Sequence, residues 1–195
     1  MQEQLLLQSL LKGEDKAFEY LVEHYQEMLG NVCFGFVQNQ AEAEELVQDV
    51  FVEVFQSIHK FHGKSKLSTW LYRIAVNKSI NMVNHKKRKR QLKRVSLFFG
   101  FGESEQERDF EDTQHQRSDQ QLENEEIREA LEHALAKLPE NQRTAFVLRK
   151  YEDLSYVKMA EIMQTSIPAI ESLIHRASKN MKKHLTYFYK NVYQD

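Results

Sequence analysis

The chain is poor in residues that interrupt or staple a backbone: its 195 residues hold one cysteine, two prolines and six glycines. A single thiol, Cys33, cannot close an internal disulfide, so the fold has to rest on burial, and a reducing cytosol is the expected compartment. Cys33 falls at an apolar helical position and should pack as a small hydrophobe. With so few breakers the chain is left with long unbroken segments, and no stretch alternates apolar and polar residues as a half-buried strand would. The expectation is an all-α protein. No apolar run is long enough to span a bilayer, and Leu5-Leu6-Leu7 lacks the cationic start and small-residue cleavage site of a secretory signal. Also missing are a glycine-rich phosphate loop, a Cys/His metal spacing and a nucleophile motif. The eight histidines are scattered, and His59 and His62, three apart, have no third ligand near them in the sequence. No cofactor, metal site or catalytic activity is expected. The net charge of −2 averages two extremes, a basic run at 86–94 and an acidic stretch at 103–126.

What is present is helical periodicity. A hydrophobic fraction of 41% is enough to build a core. Residues 3–12 read as a short helix closed by Gly13. Phe18, Leu21, Val22, Tyr25, Leu29, Val32, Cys33 and Phe36 keep helical spacing to about residue 37, with Gly30 and Gly35 as candidate points of close helix approach. Asn39 and Glu42 form an N-cap pair. Ala43, Leu46, Val47, Val50, Phe51, Val54 and Ile58 then mark an apolar stripe, opposed by Glu45, Asp49, Glu53 and Gln56. After a polar connector at 59–67, Ser68 or Thr69 is placed to cap the next helix, with Trp70 as a core anchor at its start. That helix carries Leu71, Ile74, Ala75 and Met82 on one side. Arg73, Asn77, Asn81, Asn84 and Arg88 line another, spaced four, four, three and four apart. Amides can pair with base edges and cations neutralise phosphates, so this face suits nucleic acid.

Residues 95–121 lose the period: Leu97-Phe-Phe-Gly-Phe-Gly102 is a short apolar patch, and 103–121 has the acidic, Gln-rich composition of a flexible linker. Two small domains are therefore expected, at 1–94 and 122–195. The second opens with a stripe of Ile127, Ala130, Leu131, Ala134, Leu135 and Leu138. Pro139 suits the first turn of a helix to Tyr151, and Asp153-Leu-Ser155 reads as a turn with a cap. A short helix at 156–163, a turn at 164–166 and a helix from Pro168 to about His184 read as a helix-turn-helix over 156–175. Ile170, Leu173, Ile174, Ala177 and Met181 face inward on the last helix. Ala169, Ser172, Arg176, Lys179 and Lys183 face outward, small and polar residues first and cations after, as a recognition helix requires.

These segments, in this order, resemble a bacterial extracytoplasmic-function sigma factor of the sigma-70 family, the small two-domain RNA polymerase sigma subunits. Glu44-Glu-Leu-Val-Gln-Asp-Val-Phe51 is similar to the polymerase-binding segment of the first domain. Phe61-His-Gly-Lys-Ser-Lys-Leu-Ser-Thr-Trp-Leu-Tyr-Arg-Ile-Ala-Val-Asn77 is similar to the segment that melts and reads the −10 element. Leu138-Pro-Glu-Asn-Gln-Arg143, Leu154-Ser-Tyr156 and Ile174-His-Arg-Ala177 are similar to the second domain, which reads the −35 element.

The resemblance implies roles for named residues. Glu45, Leu46, Gln48, Asp49, Phe51, Val52, Glu53 and Gln56 would bind core RNA polymerase. Lys64, Ser65, Arg73, Asn77, Lys78, Asn81, Lys86, Lys87 and Arg88 would contact −10 DNA, the connector holding a flipped base. Ser166, Ala169, Ser172, His175, Arg176 and Lys179 would contact −35 DNA. Partners would be core RNA polymerase, promoter DNA and an anti-sigma factor. The protein would be cytoplasmic, or held at the inner membrane face by a membrane-bound anti-sigma factor, with no further domain expected after Asp195. Where the family often reads Thr-Val-Lys-Ser-Arg, this chain has Ala169-Ile-Glu-Ser-Leu173, two cations fewer, which implies a different −35 preference. Lys64 also stands where an acidic residue is common. The competing reading is an autonomous helix-turn-helix regulator, which would dimerise on a palindrome without polymerase; the acidic face and the second reader helix argue against it.

Overall fold

The structure, a computed structural model, describes residues 3–98 and 119–192. Among them the chain forms eight α-helices and one 3-10 turn: α1 (Glu3–Leu11), α2 (Asp15–Val37), α3 (Gln40–Ser57), the turn Ile58–Lys60, α4 (Leu67–Phe98), α5 (Asp119–Ala136), α6 (Glu140–Lys150), α7 (Tyr156–Met163) and α8 (Ile167–Val192).

The first four helices pack around α2. Leu21, Leu29, Val32 and Cys33 of α2, Leu46, Val50 and Val54 of α3, and Leu71 and Ala75 of α4 are all at most 1% exposed. Burying each leucine is worth about 2 kcal/mol relative to leaving it in water. Local chemistry sets the boundaries. Gly13 turns the chain with φ +73°, a conformation that costs glycine nothing. Asn39 caps α3, its side chain accepting from the Glu42 N–H at 3.1 Å, as the sequence indicated. At the other end of that two-residue link, Gln38 adopts a left-handed φ of 53° and is buried. Its amide donates to Gly35 O at 3.0 Å, a local tie that holds the strained turn.

The cap of α4 differs from expectation. The helix starts at Leu67, so Ser68 and Thr69 lie inside its first turn. The Leu67 N–H is instead taken by the Glu3 carboxylate at 2.5 Å, from the start of α1. A carboxylate there also complements the positive end of the helix dipole. With no glycine or proline between Leu67 and Phe98, α4 continues past the expected boundary at 94, and α5 begins at Asp119, before 122. The remainder of the expected linker, 99–118, lies outside the described residues.

The second group of helices packs α8 against α5, α6 and α7. Ala134, Leu135, Leu138, Ala177 and Met181 form one cluster. Ile127, expected in that stripe, is 42% exposed. Pro139 precedes α6 as its N-cap rather than entering the first turn. Arg143 is buried, and its Nε donates to Leu135 O at 2.8 Å, closing the end of α5; burial pushes its pKa down, opposed by the Glu140 carboxylate. Ser155 caps α7 through the Lys158 N–H at 3.2 Å. Gln164, with φ 51°, ends α7 and begins the turn expected for a helix-turn-helix. The last helix runs to Val192, past the expected end near His184, no breaker intervening.

The two groups do not stand apart. Ala145, Val147, Leu148, Met159, Ile162 and Ile170 belong to the same buried cluster as α2, α3 and α4. Gly35 lets α2 approach α6: a β-carbon there would sit 2.6 Å from Val147 Cγ1 and 3.0 Å from the Tyr151 ring. Gly30, the other candidate for close approach, has nothing within 4 Å of such a carbon.

Candidate nucleic-acid interface and partner surface

On α3 the sequence-selected residues divide by exposure. Glu45, Gln48, Asp49, Val52 and Gln56 are exposed, and Phe51 and Glu53 are half-buried. Leu46 does not belong with them: at 1% exposed it is a core residue, placed inward by the helical spacing that sends Glu45 and Asp49 outward. Sequence reasoning passed over Phe55, 64% exposed beside Val52 at 53%. The Phe55 ring leans on Phe18 of α2, centroids 5.0 Å apart. Two apolar side chains on a carboxylate-lined helix are the signal that could have found it. A groove between α2 and α3, lined by Val22, Phe34, Ala43, Val47 and Phe51, runs alongside.

On α4 the amides Asn77 and Asn81 are exposed, as are Lys87 and Arg88. Other cations of this set are engaged within the molecule. Lys78 pairs with Glu53 at 3.8 Å, and Lys86 is hydrogen-bonded to Glu42. Both face α3, so they tie α4 to the acidic helix. Arg73 reaches the other way. Its Nη2 donates to Glu161 O at 2.7 Å and its Nε to Ile162 O at 3.3 Å, at the carboxyl end of α7. In the connector Lys64 is exposed and Ser65 half-buried, the Ser65 hydroxyl donating to Lys66 O at 3.4 Å. The Phe61 ring lies tilted against Trp70 of α4, centroids 5.1 Å apart, and both pack against the core, which anchors the start of the connector.

On α8, Ser166 caps the helix, accepting from the Ala169 N–H at 3.4 Å. Ser172, His175, Arg176 and Lys179 are exposed, and Ala169 is half-buried. Glu171 is exposed among them, whereas Leu173 is half-buried against the core. The helix-turn-helix is braced from behind by Arg149, whose Nη1 donates to Leu154 O at 3.1 Å and pairs with Asp153 at 2.7 Å.

An amide-and-cation helix in one helical module and a helix-turn-helix in the next define a two-module nucleic-acid binder. The chain matches the Sigma-70 region 2 family over residues 21–89 and Sigma-70 region 4 over residues 128–181. It is 30% identical over 189 residues to the RNA polymerase sigma-H factor of Pseudomonas aeruginosa, covering 94% of each chain. It is 32% identical over 179 residues to the ECF RNA polymerase sigma-E factor of Haemophilus influenzae, covering 90% of each. Two solved structures share the fold. CnrH in complex with the cytosolic domain of CnrY has a TM-score of 0.62 at 22% identity, over 95% of this chain and 97% of that one. The sigma factor RpoE in complex with the anti-sigma factor NepR from Bartonella quintana has a TM-score of 0.58 at 24% identity, over 88% and 98%. The chain belongs to the extracytoplasmic-function sigma factors of the sigma-70 family. It is a transcription initiation factor. Among the described residues no helix is long and apolar enough to cross a membrane.

Proposed function

We propose that three exposed surfaces divide the work of initiation in this chain. The outer face of α3 (Glu45, Gln48, Asp49, Val52, Gln56, joined by Phe55) docks on core RNA polymerase. Asn77 and Asn81 of α4 read −10 bases once the strands part, while Lys87, Arg88 and Lys64 hold phosphates. Ser172, His175, Arg176 and Lys179 of α8 contact the −35 duplex in its major groove. Residues 1–94 and 122–195 carry these two recognition tasks, and the chain contributes no catalytic step of its own. It works in the cytoplasm and is restrained by an anti-sigma factor, the kind of partner seen on the Bartonella quintana protein.

The observation that supports this reading most is the sorting by exposure. On α3 and α4 the carboxylates, amides and cations named above lie outside while Leu46, Leu71 and Ala75 carry the core. The test is transcription with purified core polymerase on a random promoter library, comparing wild type with the double variant Glu45→Lys, Asp49→Lys. Both side chains are exposed, so folding should survive, while charge reversal on a steering surface should weaken polymerase binding. Promoter-specific transcripts by the wild type, reduced in the variant, are expected. A folded double variant with unchanged polymerase affinity would remove α3 from the docking surface.

A further inference from the structure

The connector between α3 and α4 is pinned at both ends, and the second pin comes from α1. At its start the Phe61 ring lies against Trp70. In its middle Gly63 turns with φ +67°, a conformation glycine adopts without steric cost, and Lys64 stands exposed beside it. At its end the chain enters α4 with no side-chain acceptor of its own. The residue before the helix is Lys66, whose ammonium can only donate. The Lys66 carbonyl takes the Thr69 and Trp70 N–H groups, at 3.0 and 3.2 Å. The Leu67 N–H goes instead to the Glu3 carboxylate, at 2.5 Å. Glu3 is itself held in place. Leu6 and Leu10, 3% and 1% exposed, seat α1 in the core. The same carboxylate lies close enough to Tyr25 of α2 to push the phenol pKa up, a smaller cause there than burial. One side chain therefore joins α1, α2 and the first residue of α4.

We propose that Glu3 is a positioning residue for −10 recognition: by tying the end of the connector to α1, it holds Lys64 and Ser65 in the arrangement that receives the flipped base. The inference rests on the −10 reading made above, with the connector holding that base. Taking a base out of its stack is costly, and contacts offset that cost best when they are already in place. A connector free to move spends part of its binding energy on ordering itself. Glu3 acts here through the Leu67 backbone and not by touching DNA. Lys87 and Arg88 lie about 30 Å further along α4, at 1.5 Å per residue, so their hold on phosphates does not depend on it. Loss of Glu3 should therefore affect one base position and leave general affinity alone.

The experiment uses the full chain. Fluorescence anisotropy reads its binding to a labelled single strand carrying the −10 sequence of a promoter selected with the reconstituted holoenzyme, and to a set of strands in which each base is replaced in turn. Wild type should discriminate most strongly at one position, that of the flipped base. Glu3→Ala should lose on the order of fivefold of that discrimination, the size of a lost helix cap, while keeping its preferences at the other positions and its salt dependence. Glu3→Gln, whose amide oxygen can still accept from the Leu67 N–H, should retain it. Asn39→Ala removes a cap from α3; it reports what lost stability alone does and should retain it too. Circular dichroism verifies that each variant is folded at the temperature of the assay. If Glu3→Ala does not fold, Glu3→Asp, shorter in reach by one methylene, takes its place. Unchanged discrimination in the folded Glu3 variant overturns the positioning role and leaves the −10 reading intact, and so does an equal loss in Asn39→Ala. A wild type indifferent to every base replacement removes the −10 reading, and the role of Glu3 with it.

Discussion

Leu46 and Phe55 lie on one helix and should respond to truncation in opposite ways. Leu46 is 1% exposed, so Leu46→Ala leaves a cavity and should cost about 2–5 kcal/mol in thermal or denaturant unfolding. Phe55, 64% exposed, should change the melting temperature little when replaced by alanine and should instead weaken polymerase binding in a pull-down. Equal stability losses would place both in the core. The amides of α4 make a second residue-level case. Asn77→Ala and Asn81→Ala should each cost about 1–3 kcal/mol on the preferred −10 strand and relax its sequence preference. Neutralising Lys87 and Arg88 should weaken binding to all sequences and flatten its salt dependence. Equal loss on every sequence from the asparagine changes would make them positioning groups. The Cys33 thiol is pushed up to about 11, first by burial. A pKa raised in the folded state favours the protonated form there, so this stabilisation is complete below about pH 9 and fades as pH climbs toward 11. Comparing pH-dependent melting of wild type and Cys33→Ala isolates that share, and a thiol reagent at neutral pH should modify Cys33 only as the chain unfolds. The sequence announced Cys33 by its apolar helical position and Asn77 and Asn81 by their spacing. Its apolar stripe also set Leu46 inward, where it lies; the motif resemblance set it among the docking residues because a motif spans consecutive residues, whereas a helix turns every third or fourth of them inward.

At the scale of the element, caps show where local reading stops. Asn39 was legible because it bonds the Glu42 N–H three residues on. Asn39→Ala should cost about 1 kcal/mol in urea unfolding. The cap of α4 was not legible, since Glu3 stands 64 residues from Leu67. Ser68 and Thr69 were the plausible local choices, but Thr69 is buried and accepts from Lys158. Glu3→Ala should therefore destabilise by about as much as a conventional cap loss and also loosen α1, raising amide exchange at both α1 and the first turn of α4. Protection unchanged at Leu67 would show that the carboxylate does not carry the cap. The ends of α4 and α8 ran past their expected limits for a single reason: polar, helix-favouring residues continue a helix until something stops it, and polarity alone does not.

At the scale of the whole molecule, the structure keeps the two expected helical groups and adds a buried cluster that they share. Two compositionally distinct halves predict two domains, and each half does carry its own apolar stripes. The sequence marked Gly35 as a point of close helix approach, but not its partner, because Val147 reads only as one more inward residue. Their meeting, like the Tyr72–Glu152 pair, exists only once both halves are folded. Cutting the chain within 99–118 should therefore leave helical fragments that associate weakly when mixed. Such a mixture should transcribe less than the intact chain from a two-element promoter, because linkage raises the effective concentration of the second site once the first is engaged. Mixed fragments as active as the intact chain would show that covalent connection contributes nothing.

Gly35 also carries a genetic consequence. Glycine is the smallest residue, so every missense change at this codon adds atoms to the α2–α6 contact and none can remove any. Mutational drift at this site has one direction, toward crowding of Val147 and Tyr151. In a mutational scan read by unfolding stability, codon 35 should accept no residue as well as glycine, and the loss should grow with side-chain size.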